Sequence, residues 1–257
     1  MEIIAEKYNN FGSKIYMINR NKNKCDIYFP EYNWIAKSVN TSAFNSGSIS
    51  CPYEPRTLGV GYLGEGPYQT RTKEMKPGER TKEYNIWTTM IRRCHDPKFQ
   101  ERKPSYIGCT IVDDWYNYQN FGYWYTDNYY EIPGEKMQLD KDILIKGNKI
   151  YSPDTCCFVP HHINSLFTTR KNNRGNLPIG VFYTNKYSTN KYSARCNTMF
   201  GDRKTITIHG FTDPTEAFEA YKELKEAEIK RVADYYSDYI PQQLYDALYN
   251  WQVDIND

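Results

Sequence analysis

Apolar and polar positions along the first part of the chain alternate with a period of two. KIYMINR (residues 14–20) and CDIYF (25–29) read as strands with RNKN as the turn between them. A Gly/Pro-rich stretch follows, CPYEPRTLGVGYLGEGPY (51–68). Its Gly59-x-Gly61-x-x-Gly64 matches a dinucleotide fingerprint in letters only. Glu65-Gly66-Pro67 comes next and cannot open the helix that such a site aims at the pyrophosphate. The polar run QTRTKEMKPGERTKE (69–83) reads as a linker.

The period then changes to that of a helix. Trp87, Met90, Ile91 and Cys94 fall at i, i+3, i+4 and i+7 and leave Arg92 and Arg93 on the opposite side; Trp115, Tyr118, Phe121 and Tyr125 form a second stripe. Both stripes are expected to be core. Residues 137–165 predict a strand (MQLDKDIL), a turn (IKGNKIYSPDT) and a helix (CCFVPHHINSLF). The strands IGVFY, KYSARCN and TITIHGF follow at short intervals. A helix opens at Asp213-Pro214, with Pro at the first helical position and Ala217, Ala220, Tyr221, Leu224 and Ala227 on one side. A short last helix from Pro241 carries Leu244, Leu248 and Trp251 on one side.

This order predicts an α+β protein in four parts. They are a β-rich module (1–68), a linker (69–83), a strand–turn–helix centre (84–176), and a three-stranded sheet on one helix with a short terminal helix (177–257). Composition adds that 25 Tyr, 11 Phe and 5 Trp supply the core area that aliphatic residues usually give. Seven scattered cysteines without a C-x-x-C pair predict reduced thiols. No apolar run reaches membrane-spanning length and the N-terminus lacks a signal-peptide core, so a cytoplasmic location and no membrane partner are expected.

Charge distribution adds a partner. Residues 165–205 hold Arg170, Lys171, Arg174, Lys186, Lys191, Arg195, Arg203 and Lys204 against Asp202 alone, while the following helices are acidic. A local positive excess of this kind fits a polyanion. In KYSARCN, strand alternation points Tyr192, Ala194 and Cys196 one way and Lys191, Ser193, Arg195 and Asn197 the other. The helix would cover the first set. The second set, with Thr205, Thr207 and His209, would face a DNA groove.

Gly180-Val181, Lys191-Tyr192-x-Ala194, Arg203, Gly210-Phe211 and Thr215-Glu216-Ala217-x-x-x-Tyr221 resemble the Apetala-type (ethylene-response-factor) DNA-binding domain, over about residues 178–227. That resemblance implies a three-stranded sheet that reads double-stranded DNA. The family's arginines after the Gly-Val are replaced by Phe182 and Tyr183. Trp87-x-x-Met90-x-x-x-Cys94, Tyr106-x-Gly108, Trp115, Leu139-Asp140-Lys141-Asp142, Gly147-Asn148, Tyr151-Ser152-Pro153 and Cys156 resemble HNH (His-Me finger) endonucleases of viruses and mobile elements. This second resemblance implies phosphodiester cleavage with Mg²⁺ or a similar divalent metal. Asp140 and Asn164 stand at the ligand positions, and Thr155 at the usual structuring Asn. Lys141 stands at the position of the base, where its high pKa keeps it protonated at neutral pH. His162 is the substitute base, with His161 beside it. The expected function is therefore a double-stranded DNA-binding protein related to homing endonucleases. Two rival readings stay open: a non-catalytic DNA binder that represses or blocks a site, and a protein-binding inhibitor.

Overall fold

The computed structural model describes residues 2–168, 175–184, 191–199 and 205–257. Along the chain run β1 (Ala5–Tyr8), β2 (Lys14–Asn21), β3 (Lys24–Phe29), β4 (Trp34–Asn40), α1 (Thr41–Ser46), α2 (Lys82–His95), α3 (Pro97–Arg102), β5 (Thr110–Ile111) and α4 (Tyr118–Asn128). Then come β6 (Met137–Asp140), β7 (Ile150–Tyr151), β8 (Cys157–Pro160), α5 (His161–Leu166), β9 (Val181–Tyr183), β10 (Tyr192–Asn197), β11 (Thr205–Phe211), α6 (Pro214–Tyr236) and α7 (Gln242–Tyr249). The fold is mixed α+β, as expected. The chain forms two compact units, residues 1–128 with 149–153, and residues 129–148 with 154–257. Among the described residues, no helix is long and apolar enough to cross a membrane. All seven cysteines are free thiols.

In the first unit, β1 to β4 form an antiparallel meander. Alternation buries Ile15, Met17, Cys25, Ile27 and Phe29 on one face, against Phe44 of α1. The helical stripe on α2 buries Trp87, Met90 and Ile91 as expected, and Thr81 caps the helix by accepting the Tyr84 N–H. Trp87 donates its indole N–H to the Trp115 carbonyl at 2.7 Å, and its ring lies 5.3 Å from that of Tyr118. Trp87, Trp115, Tyr118 and Phe121 are all almost fully buried, so the aromatic residues do supply this core.

In the second unit, β6 and β8 pair antiparallel, with Asp140 opposite Cys157 and Met137 opposite Pro160, and α5 follows directly. Cys157–Pro160 is a strand, where the sequence pattern predicted helix from Cys156 onwards. Pro160 explains the break: its fixed φ, −55°, precedes the helix and not an interior turn of it. The three-stranded sheet has the order β11-β10-β9, all antiparallel. Asp213 caps α6 by accepting N–H bonds from Thr215 and Glu216, and Pro214 opens it.

Two cores lie along α6. Near its N-terminus, Ala217, Phe218 and Tyr221 pack on Val181, Ala194 and Cys196 of the sheet. Further on, Ile229, Val232, Ala233 and Tyr236 pack on Val159 and Ile163 of the hairpin and α5, with Leu244 and Leu248 of α7. The side of KYSARCN that was expected to meet the helix does so.

Gly180 sits where the chain enters β9, with φ +74°, and a Cβ there would lie 2.0 Å from the Tyr221 ring. Gly175 has φ +60° and open space around it. Gly180→Ala is expected to cost about 2–5 kcal/mol, combining left-handed strain with overpacking. Gly175→Ala should cost only about 1–2 kcal/mol. Urea denaturation of the two variants checks this; equal losses would remove the Tyr221 contact from the account.

Candidate nucleic-acid interface and hairpin site

The outer face of the sheet comes directly from strand alternation. Ala194 and Cys196 point to α6, so Arg195 and Asn197 point away and are exposed. Across the ladder Arg195 pairs with Thr207, Asn197 with Thr205 and Ser193 with His209. The Thr205 hydroxyl donates to Asn197 Oδ1 at 2.9 Å. The Arg195 guanidinium lies 4.2 Å from the centroid of the Phe182 ring, on the neighbouring strand. Lys191, just before β10, is exposed.

Ser193 departs from the expected exposure. It is fully buried, and its hydroxyl is 2.8 Å from His209 Nδ1. A bulge between Tyr192 and Ser193 shifts the register at that point. Arg170, Lys171, Arg174, Lys186, Arg203 and Lys204 lie outside the described residues.

The hairpin of the second unit gathers a different set of groups. Asp140 ends β6, and its Oδ1 accepts the backbone N–H of Asp142 and of Ile143, each at 2.8 Å. Burial pushes its pKa up to about 6, with the nearby Asp142 carboxylate adding to the rise. Opposite it, burial also pushes the Cys157 thiol up, so that group stays protonated. Lys141 is buried and donates from Nζ to Asp142 Oδ2 at 2.9 Å. The Asn148 amide donates to the Lys141 carbonyl at 2.7 Å and closes the loop after β6.

Asn164 projects from α5 and donates its amide to Gln138 Oε1 at 2.7 Å. Gln138 stands two residues before Asp140 on the same face of β6, so Asp140 and Asn164 share that face. His162 does not join them. Its Nδ1 lies 2.9 Å from Glu135, five residues before Asp140 and ahead of the strand. The other Glu135 oxygen accepts the Tyr236 hydroxyl at 2.7 Å. His161, like His162, is exposed. Thr155 is partly buried in the loop before β8.

Among the described residues, no group of three His, Cys, Asp or Glu side chains is arranged to hold a metal ion. The Asp140 and Asp142 carboxylates and the Asn164 amide offer oxygen donors, a type that suits a hard cation such as Mg²⁺. The Asn164 amide nitrogen is taken up by Gln138, so its oxygen is the atom left for that role. Sequence reading missed Gln138, Glu135, Tyr236 and Phe182. These residues matter through contacts 26 to 101 positions apart for the first three, and through cross-strand stacking for Phe182. No local pattern encodes them.

The direction of the Asp140 shift predicts a pH dependence. An acid whose folded pKa is raised stabilises the fold fully below its unfolded value of about 4. That contribution is lost as pH rises through about 6. Asp140→Asn keeps an oxygen for the two N–H bonds and removes the charge. In metal-free buffer the variant should gain stability over the wild type between about pH 4 and pH 7, on the order of 2 kcal/mol. Thermal melts across that range test it, and parallel pH profiles would refute it.

No protein-family model, curated protein or solved structure matches the chain.

Proposed function

We propose that the protein binds double-stranded DNA through the outer face of the β9–β11 sheet and acts by occupying its site. One observation carries this reading: the face opposite α6 presents Arg195, Asn197, Thr205, Thr207 and His209, with no Asp or Glu in any of the three strands. The segment that contains β9 and β10, residues 165–205, carries eight Lys or Arg against one Asp. A short sheet with donors on one face fits the major groove, where side chains reach base edges while lysines hold phosphates.

Metal-dependent phosphodiester cleavage is the second reading, and the shared face of Asp140 and Asn164 favours it. A bound divalent metal would stabilise negative charge on the scissile phosphate. Asp140 and Asn164 are the residues to hold it. The attacking water also needs a base. Lys141 directs its ammonium to Asp142 and has no lone pair to accept a proton, and His162 is held at Glu135. The Cys157 thiol is protonated. This arrangement favours occupancy over hydrolysis.

The test is a gel shift and nicking assay on the full chain, with Mg²⁺, with Mn²⁺ and with EDTA, comparing wild type, Asp140→Ala and Lys141→His. The expected result is a shift that persists in EDTA and weakens steeply with salt, without nicking. Nicking by the wild type that Asp140→Ala abolishes would establish the second reading. Nicking confined to Lys141→His would show that the missing base is what separates the two. No salt-sensitive binding would overturn both, and would turn attention to a protein partner.

A further inference from the structure

We infer that Glu65, flanked by the side chains of Trp34 and Tyr53, is a docking site for an arginine side chain of a partner protein. The site belongs to the first unit and stands independently of the reading of the sheet as a DNA-binding surface. Its geometry begins with two bonds. The Trp34 indole N–H donates to Glu65 Oε1 at 3.0 Å, and the Tyr53 hydroxyl donates to Oε2 at 2.9 Å. Each carboxylate oxygen is thus held by one aromatic side chain. Glu65 is exposed, while Trp34, Tyr53 and Tyr62 are half-buried. The Tyr62 ring stands 6.2 Å from that of Tyr53, tilted by 46°.

The chain fixes this arrangement before any ligand arrives, which lowers the ordering cost of binding. Trp34 starts β4 opposite Phe29 in the ladder, with the two rings 5.5 Å apart. The Gly64 N–H donates to the Pro52 carbonyl at 3.0 Å, which ties the Glu65 loop to the segment that carries Tyr53.

Charge identifies the occupant. Among the described residues, no Lys, Arg or His forms an ion pair with Glu65. Its carboxylate, by accepting the Tyr53 hydroxyl, holds that group above its ordinary pKa. Burial, with the Glu54 and Glu65 charges adding to it, pushes the Cys51 thiol up to about 11. The surroundings are therefore negative. A carboxylate has about four lone-pair sites, and the two bonds leave each oxygen of Glu65 able to accept again. Two oriented oxygens side by side match the paired N–H donors of a guanidinium. Aromatic rings beside them attract the same flat cation. An ammonium is a compact point charge and more strongly hydrated, so it fits less well. An exposed carboxylate meets the end of a side chain and leaves the backbone that bears it outside. That suits an arginine presented by another polypeptide.

The reporter is the Trp34 indole N–H, which touches the carboxylate itself. Proton–nitrogen NMR spectra of the full chain, with this signal assigned through Trp34→Phe, are recorded during titration with acetyl-Gly-Gly-Arg-Gly-Gly-amide. Parallel titrations use peptides with Lys or neutral citrulline in place of Arg, and free arginine. The Arg peptide is expected to shift the signal saturably at about millimolar concentration, as suits one exposed pair. The Lys peptide should bind about 10-fold more weakly. The citrulline peptide should leave the signal in place. Glu65→Gln should lose the response while its melting temperature stays at the wild-type value. Tyr53→Phe, which removes one of the two bonds that orient Glu65, should weaken binding about 3- to 10-fold.

A Trp34 signal that does not move with the Arg peptide would overturn the inference and leave Glu65 as a tie between its loop and β4. Equal responses to the Arg and Lys peptides would overturn the choice of guanidinium. An equal response to free arginine would overturn the choice of a polypeptide partner. Undiminished binding by Glu65→Gln would place the peptide elsewhere and overturn the site.

Discussion

Helix α6 is the element on which the second unit depends, because it belongs to two hydrophobic cores at once. Its 23 residues span roughly 35 Å at the rise of an α-helix. Ala217, Phe218 and Tyr221 close the sheet, and Ile229, Val232, Ala233 and Tyr236 close the hairpin and α5. Neither the three-stranded sheet nor the two-stranded hairpin could bury an apolar face without it. Between the two cores, Glu228 is buried and paired twice with Arg231, at 2.7 and 2.9 Å, and it accepts the Met199 N–H at 2.6 Å. A buried carboxylate is stable there only because three donors satisfy it. The C-terminal segment ties the same joint: Trp251 packs against both cores, and the Val253 N–H is donated to Glu226.

That arrangement has a consequence for function. In the proposed reading, the sheet face and the Asp140 end of the hairpin are fixed relative to one another by one continuous helix and not by a linker. DNA seated on the sheet would therefore meet the rest of the unit in a single register. The buried Glu228 group adds positional definition, which an all-apolar joint would supply less well.

Much of this was legible in the sequence where a single period governed a segment. The early part of the stripe on α6 (Ala217, Ala220, Tyr221 and Leu224), the Asp213-Pro214 start and the alternation of Ala194 and Cys196 with Arg195 and Asn197 in β10 follow from local geometry, while Ala227 of the stripe is exposed. Legibility failed in CCFVPHHINSLF, where the short apolar run CCFV does not by itself distinguish strand from helix and Pro160 is the mark of the boundary. The sequence pattern also missed the burial of Ser193, which keeps its side of the strand but lies against His209 across the ladder, its hydroxyl 2.8 Å from Nδ1. The pairing of His162 and of Tyr236 with Glu135, and of Asn164 with Gln138, depends on the packing of α5 against β6 and α6. Such pairs become visible only once that packing exists.

The two candidate sites make different physical demands, and the proposed reading rests on that difference. Binding on an open sheet face needs donors, positive charge and a fixed geometry, all of which survive exposure to water. Hydrolysis at Asp140 needs a cation and a proton acceptor placed together in a site that excludes solvent. The hairpin provides the carboxylates and screens Asp140 from water strongly enough to raise its pKa to about 6. It then places a lysine ammonium on Asp142, at 2.9 Å. That ammonium supplies positive charge beside the half-exposed Asp142, while Asp140 keeps its raised pKa. In the proposed reading the Lys141 ammonium takes the position of the base and has no lone pair to accept a proton. In the proposed reading the hairpin serves as a structural element and the sheet carries the interaction with DNA.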